Sequence, residues 1–152
     1  MEHFTKRAHQ AIVLACVEAE RMGNAYLGTE HVLLALSSLR CTASNILVDR
    51  GVDLAALQKK TVELVGDRTR PLENQDPVDM GSVSAALERA TPRLNKAFTR
   101  ARVEAARLHR DQIGTEHLLL GMLDDSTSVA TEALRSLGVN LDAVREGMSK
   151  GF

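Results

Sequence analysis

Leu27-Gly28-Thr29-Glu30-His31-Val32-Leu33-Leu34-Ala35-Leu36 returns later in the chain as Ile113-Gly114-Thr115-Glu116-His117-Leu118-Leu119-Leu120-Gly121-Met122. Six of the ten positions are identical, and the other four exchange like for like. Each copy reads as a turn running into a helix. Gly28 and Gly114 are expected to supply a positive φ before the helix. Thr29 and Thr115 read as N-caps, whose hydroxyl oxygens accept from otherwise unbonded helix N–H groups. Glu30 and Glu116 then fall in the first turn, where the macrodipole favours a carboxylate by about 0.3–1 kcal/mol. The apolar run behind each must be buried.

The repetition extends outward from this stretch. An offset of 86 residues aligns Thr5 with Thr91, Arg7 with Arg93, Ala11 with Ala97, Ala15 with Ala101, Ala19 with Ala105 and Arg21 with Arg107. One inserted residue moves the offset to 87, and Gly51-Val52-Asp53-Leu54 then matches Gly138-Val139-Asn140-Leu141. Two whole units are duplicated, and a period of this kind governs the reading of the fold.

The expected fold class is all-α: two tandem four-helix repeats, about eight helices, related by a pseudo-twofold axis. Within 1–152, repeat 1 is assigned to 4–66, a linker to 67–82 and repeat 2 to 90–148. Thr5 opens the first helix, with Ala8, Ile12, Ala15, Ala19 and Met22 on one face. Thr42 or Ser44 opens the third, and Asp53 the fourth, with Leu54, Leu57, Val62 and Val65 as its apolar positions. Pro71, Pro77 and Gly81 break the pattern as a linker does, and 82–90 could add a short helical turn. Thr91-Pro92 restarts the unit, proline being well suited to the first helical position. Ser126 or Thr127 opens the seventh helix and Asn140 the eighth. Each unit alone is too small to bury its apolar faces, so the halves must share an interface.

Composition narrows the function. The chain is 44% hydrophobic but 3% aromatic, so the core is aliphatic. A net charge of −1 leaves no general basic field for nucleic acid. No apolar run approaches the ~20 residues of a membrane span, and Glu2, His3, Lys6 and Arg7 interrupt any signal-peptide core near Met1. The expected compartment is the cytosol, where Cys16, in an Ala-rich helix, and Cys41, in a polar connection, are expected as free thiols.

Catalytic machinery is not legible. His31 and His117 follow glutamates directly and lack the partner one turn on that a helical metal site requires. They read as packed or hydrogen-bonded histidines at helix starts. His3, His9 and His109 read as exposed or capping. The sequence holds no G-x-S-x-G and no G-x-x-x-x-G-K-[ST]. No enzyme activity, metal or cofactor is expected. What remains is recognition: Thr5 and Thr91 each begin a helix whose free N–H groups suit an anion, and Glu30 and Glu116 each offer a carboxylate at a second helix start. Brought together, such a pair would hold a ligand anionic at one end and cationic at the other, as a phosphorylated guanidinium is.

The doubled G-T-E-H-x-L-L, the T-x-R starts and the L-x-x-x-G-V-x-L endings resemble the Clp amino-terminal repeat domain, the front domain of AAA+ unfoldases of the ClpC and ClpA type, with ClpC the nearer. The resemblance covers nearly the whole chain except the linker. It implies a module that binds adaptor or substrate proteins for a Clp unfoldase–protease, the ATPase lying in later domains; a freestanding homologue acting as regulator or decoy is the alternative. Some ClpC-type domains bind phosphoarginine through a threonine at the first helix and the glutamate of this motif. Carried over, those positions are Thr5 with Glu30, and Thr91 with Glu116. One departure stands out. The phenylalanines by which such domains hold cyclic-peptide antibiotics fall at Met1 and Ala90, so an aromatic pair for stacking is not expected.

Overall fold

Thr5 takes its place as the N-cap of the first helix, its Oγ1 accepting the Ala8 N–H at 3.1 Å. The computed structural model describes residues 4–24, 26–65 and 88–149. Among them stand eight helices and no strand: α1 Lys6–Arg21, α2 Thr29–Ser38, α3 Thr42–Asp49, α4 Leu54–Val65, α5 Pro92–Arg107, α6 Thr115–Leu123, α7 Val129–Ser136 and α8 Leu141–Ser149. The linker at 67–82 lies outside the described residues, as does all but the end of the helical turn expected at 82–90. Thr91 repeats the Thr5 cap on Leu94 at 3.1 Å, with Pro92 in the first turn. Asp53 and Asn140 cap α4 and α8, each through one side-chain oxygen that accepts two backbone N–H groups.

The helix stops repeat as faithfully as the starts. At the end of α3, Val52 N–H donates to Leu47 O and Gly51 N–H to Val48 O, with Gly51 at φ 84°. This paired closure places a left-handed residue just past the helix. Gly138, at φ 76°, closes α7 in the same way. Gly23 closes α1, but its counterpart on α5 is His109, held at φ 58°. A side chain in the left-handed region costs roughly 1–2 kcal/mol. His109→Gly is therefore expected to raise stability by about 0.5–1 kcal/mol, after glycine's larger unfolded-state entropy is subtracted. Chemical denaturation of the two proteins checks it.

The halves interlock by crossing. Within each repeat the first helix packs on the second, α1 on α2 and α5 on α6. Between repeats α4 lies on α7, α3 packs on both α6 and α8, and α1 reaches α6 as α2 reaches α5. One continuous aliphatic core results, from Ala8, Ile12, Leu33, Leu36 and Leu47 through to Leu94, Leu119, Leu123 and Leu134. Alanines at 8, 11, 15 and 19 are fully buried, which lets α1 approach its neighbours closely. Phe4 packs edge-to-face on Phe98 of the other repeat, with ring centroids 6.1 Å apart.

Several sequence expectations need correction. Thr29 and Thr115 are the first helical residues of α2 and α6, not the caps; the caps are Gly28 and Gly114. Neither glycine has a positive φ; the angles are −114° and −96°. Ser128, rather than Ser126 or Thr127, caps α7. Cys41 is buried at the start of α3, where its N–H donates to Ser44 Oγ at 3.0 Å. Val62, expected in the core face of α4, is 41% exposed. Cys16 and Cys41 are both free thiols, and burial raises the pKa of Cys16.

Candidate functional site

The repeated histidines explain how α2 and α6 begin. His31 Nδ1 accepts the Gly28 N–H at 2.9 Å, and His117 Nδ1 accepts the Gly114 N–H at 2.9 Å. A side chain three residues into the helix thus reaches back to the cap, as glutamate or glutamine does in a capping box. An accepting Nδ1 leaves the ring proton on Nε2. In His31 that nitrogen faces Asn24 Oδ1 at 2.8 Å. Both rings are held neutral. Burial, aided by the Arg89 charge, pushes the His31 pKa down to about 4. Burial is also the main cause of the lowered His117 pKa, with Arg110 adding to it against the opposing pull of Glu116 and Glu104.

This arrangement governs the glutamates. Glu116 Oε1 lies 3.4 Å and Glu30 Oε1 3.9 Å from the neighbouring Nδ1 atoms, but those nitrogens present lone pairs and do not neutralise the carboxylates. Each carboxylate instead folds back over the capping glycine. A Cβ built on Gly28 would stand 1.7 Å from Glu30 Oε1, and one on Gly114 2.0 Å from Glu116 Oε1. A side chain at either position would require the carboxylate to swing aside; no left-handed turn is involved.

The helix tips and the glutamates meet in a crossed pattern. Thr5 N–H donates to Ile113 O at 2.9 Å, and Phe4 and Ile113 form a parallel β-bridge. Thr91 N–H donates to Leu27 O at 2.9 Å, and Leu27 and Ala90 form the matching bridge. The tip of α1 therefore sits beside the Gly114–Glu116 turn of the other repeat, and the tip of α5 beside Gly28–Glu30. Thr5 thus shares a cleft with Glu116 of the other repeat, where the resemblance pairs it with Glu30 of its own. Thr115 adds a further tie: its Oγ1 accepts the Ala43 N–H of α3 at 3.2 Å. Thr115→Val should cost about 1 kcal/mol, the usual loss for an unsatisfied helix-start amide. A denaturation midpoint measured against wild type checks this.

Thr5 and Glu116 line one cleft of about 470 Å³, together with Arg7, Arg110, Gln112 and Thr115. The amides of Lys6 and Arg7, in the first turn of α1, have no helical acceptor of their own. Phosphate-like oxygens suit that end, and the Glu116 carboxylate suits a guanidinium. The Thr91–Glu30 pair differs in three respects. Pro92 removes one tip amide. Glu30 is only 7% exposed, whereas Glu116 is partly exposed. The Tyr26 ring stands beside Gly28 and His31, where the other repeat has Gln112. Thr91 lines a separate groove that Glu30 does not reach. Among the described residues, no group of three or more His, Cys, Asp or Glu side chains is placed to hold a metal ion, and no single helix is long and apolar enough to cross a membrane.

The crossed duplicate has a family. The model of the Clp repeat N-terminal domain matches this chain twice, over residues 3–90 and 89–151. The chain belongs to the Clp N-terminal domain family. A probable ATP-dependent Clp protease ATP-binding subunit of Chlamydia pneumoniae is 38% identical over 150 residues, 98% of this chain and 16% of that protein. The negative regulator of genetic competence ClpC/MecB of Bacillus subtilis is 33% identical over 144 residues, 94% of this chain and 16% of its own length. The chain thus spans about one-sixth of these curated relatives, 16% in each case. The fold is also that of the N-terminal domain of the chaperone ClpD from Arabidopsis thaliana, with TM-score 0.71, 21% identity and coverage of 96% and 92% of the two chains. The Hsp104 N-terminal domain from Candida albicans matches with TM-score 0.75 at 15% identity, covering 98% and 91%.

Proposed function

We propose that this Clp N-terminal domain captures adaptor or substrate proteins for a Clp unfoldase in the cytosol, and that its crossed clefts read phosphoarginine on them. The observation that carries the reading is the meeting of the α1 tip with the Gly114–Glu116 turn. Amide donors, the Thr5 hydroxyl and Arg7 are on hand for phosphate, and a carboxylate with no neutralising histidine is on hand for guanidinium. Charge-assisted hydrogen bonds of this kind are about twice as strong as neutral ones. The domain does no covalent chemistry; capture is followed by handover to an ATPase ring.

Calorimetric titration with a phosphoarginine peptide tests the reading. Binding at ~1 μM or tighter corresponds to about −8 kcal/mol. The Thr5–Glu116 cleft is expected to be the tighter, because the other tip lacks the amide that Pro92 removes and Glu30 is nearly enclosed. Glu30→Ala with Glu116→Ala should abolish binding. Unchanged affinity in that double variant would take both carboxylates out of the mechanism.

A further inference from the structure

The second repeat carries a charged groove that the first does not. Arg93, Lys96 and Arg100 lie along one face of α5, at the three- and four-residue spacing that aligns side chains on a helix. They line a groove of about 650 Å³ whose opposite wall is Asp124 and Asp125, at the end of α6. Thr91 and the positive end of α5 close one end. The floor is Ala97 and Gly121, where two helix backbones nearly touch: a Cβ on Gly121 would stand 2.2 Å from Ala97 O. The positions equivalent to the three cations are Arg7, Gln10 and Leu14 in the first repeat, and those equivalent to the two aspartates are Ser38 and Leu39. The duplicated unit has acquired this charge pattern on one side only.

We propose that this groove seats a short acidic peptide segment of a partner protein. Asp125 contacts Arg93 at 3.3 Å and Asp124 contacts Arg100 at 3.5 Å. The pairs are long and contribute little by themselves. Asp125 is also held by Thr127, whose N–H and hydroxyl donate to its Oδ1 at 2.9 and 2.7 Å. Arg93 donates to the Thr127 hydroxyl oxygen at 2.6 Å, whereas Asp124 is exposed. The two aspartates occupy the positions that carboxylates of an incoming chain would take. Lys96 lies exposed between the two arginines, and its charge, with that of Arg93, helps hold the Asp125 carboxyl below its ordinary pKa. The lining sets three cations against two carboxylates, an excess of one positive charge, although Arg100 is shared with the buried Glu104 at 3.4 Å. From Arg93 to Arg100 the helix rises about 10 Å, the length of roughly three extended residues. An unphosphorylated segment with alternating glutamates fits that length and charge. The groove shares Thr91 and the α5 tip with the second phosphoarginine site proposed above, but seating an acidic segment does not require that modification.

Fluorescence anisotropy with a labelled peptide of alternating Glu and Ala, beside its Gln-for-Glu counterpart, tests the proposal at low salt. The glutamate peptide should bind and the glutamine peptide should not. Lys96→Glu should weaken binding about tenfold by placing like charges together, and Asp124→Asn with Asp125→Asn should strengthen it several-fold. Lys96→Ala gives a second, milder reading at the same exposed position. Binding that survives in the Glu30→Gln, Glu116→Gln double variant supports a groove separate from the phosphoarginine clefts. Loss of binding in that variant overturns the proposal. So does affinity indifferent to both the lysine and the aspartate changes, or equal affinity for a single-stranded oligonucleotide of the same charge.

Discussion

Gly121→Val is expected to cost about 3 kcal/mol of folding stability. The glycine lies on α6 where it crosses α5. An added Cβ would stand 2.2 Å from Ala97 O and 3.0 Å from Ala101 N. Those are backbone atoms, so relief requires moving one helix against the other rather than turning a side chain. Losing a mid-helix glycine returns about 1 kcal/mol of helix propensity at most, which does not offset the overpacking. Gly147→Ala supplies the control. Its Cβ would meet the Arg50 guanidinium at 3.1 Å and Ile46 Cγ2 at 3.2 Å. The arginine tip can give way, so the change should be close to neutral. Urea denaturation of the two variants separates backbone contact from side-chain contact.

Acid should loosen the fold through its two neutral histidines. The His31 pKa falls from 6.5 to about 4 on folding. Below pH 6.5 the unfolded chain takes up a proton that the folded chain refuses until about pH 4. The stability that this residue contributes is therefore complete above 6.5 and is lost as the pH falls toward 4. A shift of that size corresponds to about 3 kcal/mol in total. His117 acts in the same direction. His31→Gln keeps a side chain able to accept the Gly28 N–H, as glutamine does in a capping box, but removes the titration. Its melting temperature should fall less than that of wild type between pH 7 and pH 4.5. Parallel melting curves for the two proteins would contradict the account of the buried ring.

Sequence periodicity located the eight helices, because caps and stops recur at fixed offsets. Thr5, Thr91, Asp53 and Asn140 cap as their chemistry requires, and Gly51 and Gly138 end helices as left-handed residues do. His31 and His117 are packed, hydrogen-bonded helix-start residues, as their position implied. The errors cluster in the G-T-E-H stretch. A threonine followed by glutamate looks like a cap, but a histidine three residues after the glycine does the capping and moves the helix start by one residue. The two glycines were read as left-handed, and φ angles of −114° and −96° overturn that; the carboxylate folded over each Cα depends on a rotamer that no spacing reveals. The crossing of the tips was invisible for a different reason. An internal duplication makes the two units equivalent in sequence, so a helix start can serve its own repeat or the other with the same letters. Only the β-bridges of Phe4 with Ile113 and Leu27 with Ala90 decide between them. Cys41 was misread because its polar neighbours concealed a buried helix start.

The binding stoichiometry of phosphoarginine in crossed variants tests most directly the claim that each cleft is built from both repeats. Thr5→Val with Glu116→Gln removes two groups of one cleft and should leave one bound ligand per domain, at the α5 tip beside the Gly28–Glu30 turn. Thr5→Val with Glu30→Gln damages both clefts and should leave none. The reverse pattern, one ligand retained in the second variant and none in the first, would contradict the crossed arrangement.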